Sequence, residues 1–280
     1  MDRNLLVKHI RSFLEEDIGR GDLTSEAIFD TGDEGSARLV ARESFVVVGV
    51  DSVAALVFQT QNKTIVTEAA VADGVPVSSG DILLSIKGPV IDLLKAERVA
   101  LNLLQRLSGI ATLTASFVEK VKDYPVQICD TRKTTPGLRV FEKYAVAAGG
   151  GRNHRYNLTD GILIKDNHIA ACGSIKKAVK KIREQVPHTL RIEVETDTLD
   201  HVRECLDSGV DIIMLDNMSP AMLAEAVNII GGNAIVEASG GVTLETVETI
   251  AKTGVDLISI GALTHSAPAC DIGMDWSIVP

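Results

Sequence analysis

Residues 129–169 bring Arg132, Lys133, Arg152, His154, Arg155, Lys165 and His168 into one stretch of an otherwise acidic chain. The cations are interleaved with turn formers: Cys-Asp-Thr-Arg-Lys-Thr-Thr-Pro-Gly at 129–137, Gly-Gly-Gly-Arg-Asn-His-Arg at 149–155, and Leu-Ile-Lys-Asp-Asn-His at 163–168. A strand-like run, 126–130, leads in, and a second, 161–165, leads out. Cations placed where apolar strands end are what a site for a multiply anionic small molecule requires.

Each residue also has a plainer reading. Arg132 and Lys133 could be solvated surface charges, but a strand end and the Pro136-Gly137 turn aim both at one spot. Arg152, His154 and Arg155 follow three glycines, which either let backbone amides approach an anion or simply stop a helix. Lys165 ends the apolar run Ile162-Leu-Ile164. An ammonium group there must reach a mouth, a partner or a ligand, because burial alone is costly. Asp166-Asn167-His168 reads equally well as the turn and cap of a following helix.

The acidic candidates sit further on. Glu193 and Glu195 alternate with Ile192 and Val194, so both carboxylates share one face of a strand. Asp216 ends Ile212-Ile-Met-Leu215. A Glu and an Asp at neighbouring strand ends suit ribose hydroxyls or Mg²⁺; salt bridges to the nearby cations use the same geometry, and spacing does not separate the two. Ser239-Gly240-Gly241 after one strand and Gly261 after the next have the pattern of a barrel phosphate site, where small residues expose backbone N–H groups and a helix N-terminus adds its dipole.

The elements that must position these residues follow a regular alternation. Strand-like runs at 126–130, 161–165, 190–195, 211–216, 234–238 and 255–260 are separated by helical patterns at 174–185, 199–208, 220–230 and 244–253. Such alternation implies a parallel sheet with right-handed crossovers. Functional residue types at every strand end favour an α/β barrel over a doubly wound sheet. Six strands are fewer than the usual eight, so the barrel is expected to be incomplete.

Ahead of it, residues 5–14 read as an amphipathic opening helix capped by Asn4, with Thr24 or Ser25 capping a short turn after Gly19. Residues 36–90 read as β-rich, with 37–42 and 45–50 as strands around a tight connection and 51–59 as a short helix. Residues 91–122 read as helical, with a break at Gly109. Two domains are expected, 1–109 and 110–264, and the tail 265–280 is a candidate to return to the first.

The chain has 280 residues, with 28 Lys and Arg against 38 Asp and Glu, a formal charge of −10. This argues against a general nucleic-acid or anionic-membrane surface. No signal peptide and no membrane-spanning run are read in the sequence. Four scattered cysteines without a Cys-x-x-Cys pair read as free thiols in a reducing cytoplasm. Cys129, beside Asp130, reads as packing rather than catalysis. A non-catalytic carrier or phosphometabolite-binding protein is the rival class, because Gly-x-Pro-Val-x-x-Gly-Asp-x-Leu at 74–83 is similar to the half-barrel of biotinyl and lipoyl modules. Lys87 lacks the flanking residues of an acceptor lysine, which argues against it.

With these motifs in view, the chain resembles the quinolinate phosphoribosyltransferases. The resemblance runs from Glu16-Asp-Ile-Gly-Arg-Gly-Asp-Leu-Thr24 to about Gly261. It is carried by Ala96-Glu-Arg-Val-Ala-Leu-Asn102, Leu107-Ser-Gly-Ile-Ala-Thr112, Asp130 to Arg139, Gly149 to Arg155, Leu163 to His168 and Glu237-Ala-Ser-Gly-Gly241; the last residues, 275–280, match nothing. It implies an α/β fold, an N-terminal open α/β sandwich followed by an incomplete TIM-like barrel, and transfer of phosphoribosyl from phosphoribosyl pyrophosphate to quinolinate with decarboxylation.

The resemblance also implies roles. Arg132, His154, Arg155 and a partner copy's Arg98 would hold the two carboxylates. Lys133 and Lys165 would lie between quinolinate and pyrophosphate. Glu195 and Asp216 would hold the ribose hydroxyls, directly or through Mg²⁺, and Ser239, Gly240, Gly241 and Gly261 the 5′-phosphate. Lys133, Lys165, Glu195 and Asp216 form the expected catalytic set. A homodimer is implied, open to higher assembly; without the resemblance, Arg98 reads as a surface residue. A paralogous pyrophosphorylase of the molybdate-transport type, acting on another base, is the alternative enzyme.

Overall fold

A computed structural model describes residues 2–276 of the chain; the final residues of the tail, 277–280, lie outside the described residues. The chain divides into two compact units. One comprises Met1–Ala115, Thr135–Gly150 and Ser266–Pro280, the other Ser116–Thr134 and Gly151–His265.

In the first unit the opening helix α1 (Arg3–Ile18) buries Leu6, Ile10 and Leu14. Its cap is Asp2 rather than Asn4, accepting from the Asn4 and Leu5 N–H groups. Asp22, not Thr24 or Ser25, caps α2 (Leu23–Ile28). In both cases a carboxylate two residues ahead of a free N–H outcompetes a neutral cap, since it also favours the positive end of the helix.

Strands β1 (Glu34–Ala41), β2 (Phe45–Val46), β3 (Val66–Ala69), β4 (Pro76–Val77) and β5 (Ile82–Pro89) follow, with a π-helical turn, Val50–Ala55, and α3 (Leu56–Gln61) after β2. β1 and β2 do not form the expected hairpin. β1 pairs antiparallel with β5 on one side and with the closing strand Ile272–Trp276 on the other. Among the described residues β2 pairs with β4 alone. Beyond it the Val46 and Val48 amides bond to the hydroxyls of Thr112 and Ser108, which ends the ladder.

Helix α4 (Val90–Val121) runs through Gly109 without a break. A Cβ at Gly109 would lie 1.8 Å from the Pro268 carbonyl oxygen, so the glycine is required by a passing backbone rather than by a turn. Helix α5 (Arg139–Ala148), which the sequence reading did not resolve, buries Phe141, Ala145 and Val146. The same helix buries Glu142, which pairs with Arg106 at 2.9 Å and accepts from the Thr135 N–H.

The second unit carries the alternation. Its strands are β6 (Gln127–Cys129), β7 (Ile162–Ile164), β8 (Ile192–Thr196), β9 (Ile212–Asp216), β10 (Ile235–Ser239) and β11 (Leu257–Ser259). All six are parallel, in the order β6-β11-β10-β9-β8-β7. Helices α6 (Asp166–Cys172), α7 (Ile175–Gln185), α8 (Leu199–Ser208), α9 (Pro220–Ile230), α10 (Val247–Ala251) and α11 (Ala262–His265) lie between and after them.

At the outer edge of β6, Cys129 forms a parallel bridge to Arg152. The Arg152 N–H donates to Ile128 and its carbonyl accepts from Asp130. The Gly-Gly-Gly-Arg stretch thus adds a short seventh segment beside β6. Among the described residues no pairing joins this segment to β7, so the barrel is incomplete, as expected.

Replacing Gly109 by Ala should destabilise the protein by about 3 kcal/mol or more, because the obstruction is backbone and cannot rotate away. Gly32, which has nothing within 4 Å of a built Cβ, serves as control and should change stability by less than about 0.5 kcal/mol on substitution by Ala. Urea midpoints at equal slope would read both.

Candidate active site

Alternation along each strand sorts the second unit into two sets. Val194, Ile213, Leu215, Ala238 and Ile258 are buried on one face, as are Val179, Val202, Cys205, Leu223 and Ala226 of the intervening helices. The other parity, Leu163, Lys165, Glu195, Met214, Asp216, Ser239 and Ser259, lines a cavity of about 510 Å³ at the C-terminal ends of the strands. Thr131, Arg132, Lys133, His154, Arg155, Asn217, Gly240 and Gly241 complete its wall.

Of the residues singled out in the sequence, the cavity collects Arg132, Lys133, His154, Arg155, Lys165, Glu195, Asp216, Ser239, Gly240 and Gly241, but not Arg98, Arg152, His168, Glu193 or Gly261. Gly261 abuts the wall, since a Cβ built on it would come within 2.9 Å of Lys133 Cδ. Arg98 belongs to the first unit, on α4. Its side chain is 56% exposed and its nearest acidic neighbour, Glu97, is 4.0 Å away. His168 bonds locally, its Nδ1 accepting from the Lys165 N–H as part of the cap of α6.

Asp130 is the tether for the cationic wall. It is fully buried and accepts from Asn153 Nδ2 and from the His154 N–H, both at 2.8 Å. These bonds fix the 152–155 stretch beside β6. Arg155 donates to the Gly161 carbonyl at 2.9 Å. Its proton affinity is lowered first by burial and then by the charge of Arg132. Two guanidiniums crowded in this way leave a positive field that an anion relieves.

Across the cavity Lys165 Nζ meets Glu195 Oε2 at 2.5 Å. The Asp216 carboxyl is held above the usual carboxylate range by burial and by the charge of Glu195, with a hydrogen bond from Asn217 and the charges of Lys165 and Lys133 pulling it back. Asp216 beside the Glu195 carboxylate makes an oxygen-rich pair able to accept a hard cation. The phosphate-site expectation needs one adjustment. Gly240 and Gly241 both have positive φ, and nothing lies within 4 Å of a Cβ built on Gly241. Helix α10 starts only at Val247, so it brings no helix N-terminus to the Gly240-Gly241 turn.

Beneath this layer lies a group that sequence reasoning did not assemble. His154 Nε2 is 3.2 Å from Glu193 Oε2 and 3.7 Å from Glu237 Oε1, and both carboxylates are buried. These three could in principle ligate a metal, their donor atoms lying within 4.8 Å of one another. The Arg155 N–H, however, donates to His154 Nδ1 at 2.8 Å, which leaves the ring proton on Nε2, facing the carboxylates as a donor. Glu237 is pushed up to about 7, by burial first and then by Glu193. Cys129 is pushed up to about 12 by its burial and by Glu237 and Asp130, so it is an inert thiol at neutral pH.

The comparisons with known proteins follow this geometry. Residues 22–108 match the N-terminal domain of quinolinate phosphoribosyl transferase, and residues 110–275 match its C-terminal domain. The chain belongs to the quinolinate phosphoribosyltransferase family. It is 46% identical to the probable nicotinate-nucleotide pyrophosphorylase [carboxylating] of Bacillus subtilis, over 99% of this chain and 96% of that one. It is 42% identical to the mitochondrial quinolinate phosphoribosyltransferase [decarboxylating] 2b of Nicotiana tabacum, over 93% and 79%. Among solved structures, NadC from Streptococcus pyogenes superposes with a TM-score of 0.94 at 41% identity, over 99% of each chain. The mixed α/β architecture read from the family motifs is thus the family's own.

Two kinds of site residue escaped the sequence. Asn217 lines the cavity beside Asp216, and only its place after a strand-end acid could have marked it. Glu237 is recognisable by parity alone, as a polar residue where an apolar one is expected, whereas Glu193 was placed on the face of Glu195 without its deeper role.

Because Glu237 takes up a proton more readily folded than unfolded, its protonated form favours the fold. That stability is fully present below about pH 4.5 and is lost as pH rises through about 7. Glu237→Gln should remove this dependence. The difference in stability between variant and parent should grow from pH 5 to pH 7.5, to roughly 1–3 kcal/mol in favour of the variant, and then level off. Thermal midpoints across that range would read it.

Proposed function

We propose that the protein transfers the phosphoribosyl group of phosphoribosyl pyrophosphate to the ring nitrogen of quinolinate with loss of the 2-carboxylate, giving nicotinate mononucleotide, pyrophosphate and CO₂. One observation carries the reading beyond family membership. A single cavity sets crowded guanidiniums and two lysines against a carboxylate pair and an open glycine turn. The first wall suits a dicarboxylate, and the second suits a ribose 5-phosphate.

In this reading Arg132 and Arg155 hold the quinolinate carboxylates, with His154 in the wall beside them. Lys133 and Lys165 offset charge as pyrophosphate leaves. Asp216 and Glu195 receive the ribose hydroxyls. They are also the residues that would hold Mg²⁺, whose contribution when bound is to offset pyrophosphate charge. The Ser239-Gly240-Gly241 turn, with Gly261 behind Lys133, receives the 5′-phosphate.

The chain's share of the chemistry is orientation and charge stabilisation. Departure of pyrophosphate leaves positive character at the ribose C1, which the pyridine nitrogen captures. The ring is then cationic, so the electron pair left at C2 when CO₂ departs sits beside N⁺, and one proton completes the product. No protein nucleophile is needed.

The functional molecule is proposed to be a homodimer in which Arg98 enters the neighbour's site. The exposure of its guanidinium supports this reading. Residence in the cytoplasm is proposed on the four free thiols; among the described residues no helix is long and apolar enough to cross a membrane. The names of the relatives favour quinolinate over the base of a molybdate-transport paralogue.

Incubation with phosphoribosyl pyrophosphate, Mg²⁺ and carboxyl-labelled quinolinate should release one CO₂ per nicotinate mononucleotide, and nicotinate in a parallel tube should give no nucleotide. Silence in both tubes from folded protein would overturn the choice of base. Lys165→Ala should lower kcat/KM at least ~100-fold. Its thermal midpoint should fall by only a degree or two, because Lys165 is half exposed and its ion pair is worth little to folding. Activity and stability falling in proportion would remove Lys165 from the site.

A further inference from the structure

Asn217 follows Asp216 at the end of β9 and is the non-glycine residue with positive φ, 54°, among the described residues. Asparagine tolerates that conformation better than most side chains, but it is not the default there. In a continuing strand, residue 217 would face away from residue 216. The left-handed backbone instead brings both side chains to the same cavity.

What the side chain does there is specific. Its Nδ2 donates to Asp216 Oδ2 at 2.7 Å. Its Oδ1 fills the space over Gly240, where a built Cβ would lie 2.2 Å from it. Its backbone N–H donates to the Ser239 carbonyl at 2.9 Å. One residue therefore touches both the ribose-side carboxylate and the glycine turn. Without it, two strand ends in register at Asp216 and Ser239 would still be adjacent, but neither the carboxylate rotamer nor the turn would be held.

We propose that Asn217 is a positioning residue that locks the Asp216 carboxylate to the Gly240-Gly241 turn, fixing the spacing between the groups that receive ribose and 5′-phosphate. This rests on the phosphoribosyl-transfer reading above. It predicts that loss of the amide is felt on one substrate only. A residue needed merely for folding would weaken both substrates together, along with the thermal midpoint.

The test uses Asn217→Gly, which keeps the left-handed backbone and removes the amide, and Asn217→Asp, which keeps the shape but sets a second negative charge against Asp216. Steady-state kinetics of the full chain, varying each substrate separately, should show KM for phosphoribosyl pyrophosphate raised ~10-fold or more in Asn217→Gly, and further in Asn217→Asp. KM for quinolinate should stay within about 2-fold. Unchanged KM for phosphoribosyl pyrophosphate in both variants, or equal shifts for both substrates, would overturn the proposal.

Titration with phosphoribosyl pyrophosphate, Mg²⁺ and phthalate, a dicarboxylate with no ring nitrogen to react, reads the same contact without turnover. If the unaltered protein binds but turns nothing over, the reading of the base fails. A ~10-fold weaker titration in Asn217→Gly would then still uphold the role of Asn217. Equal affinity in the two proteins overturns that role, and no binding by the unaltered protein overturns both.

Discussion

Side chains on parallel strands alternate between two faces, and this constraint decides which residues share the cavity. Val194, Leu215, Ala238 and Ile258 are buried on one face. Their neighbours one step along, Glu195, Asp216 and Ser239 among them, must then face the axis. Asp216 pairs with Ser239, and Ser239 with Ser259, in the ladder. A slip of one residue would put Glu195, Asp216, Ser239 and Ser259 where Val194, Leu215, Ala238 and Ile258 are buried. The packing that holds the unit together therefore also places its chemistry, without any separate device.

The same constraint explains the buried polar layer. Two residues below Glu195 and Ser239 on the same faces come Glu193 and Glu237, both buried. Isolated, each would be expensive. The His154 ring sits against both, and its orientation is set in turn by Asp130, through the His154 N–H, and by the Arg155 N–H. The catalytic end thus rests on a hydrogen-bonded cluster, and the Gly-Gly-Gly-Arg-Asn-His-Arg motif is the strap that closes it. Conversion of Asp130 to a neutral residue would disturb this strap before it touched any substrate.

This hierarchy accounts for what could be read from sequence. The six strands and the helices 175–185, 199–208 and 220–230 follow from local periodicity, and so does the gathering of Lys165, Glu195, Asp216 and Ser239, because strand ends in a parallel sheet lie together. Gly109 was opaque, since the Pro268 carbonyl that excludes its side chain is distant in sequence. The hairpin expected of β1 and β2 failed for the same kind of reason. The partners of β1 come from residues 82–89 and 272–276, and local alternation carries no information about which strand is neighbour to which. Asn217 was invisible because a left-handed φ at a non-glycine residue leaves no periodic trace. For residues 277–280 the comparison cannot be drawn, since they lie outside the described residues.

The charge balance of the cavity follows from what it must receive. The chain as a whole carries −10, yet Arg132, Lys133, Arg155 and Lys165 line one pocket with Glu195 and Asp216. Were the two sets fully paired, the pocket would be neutral and indifferent to anions. Lys165 and Glu195 are in direct contact across it. The guanidiniums of Arg132 and Arg155 act on each other unfavourably instead. Such repulsion is retained only when something offsets it. In the proposed reaction a dicarboxylate bound between the guanidiniums would do so, and would do so less once one carboxylate has left as CO₂.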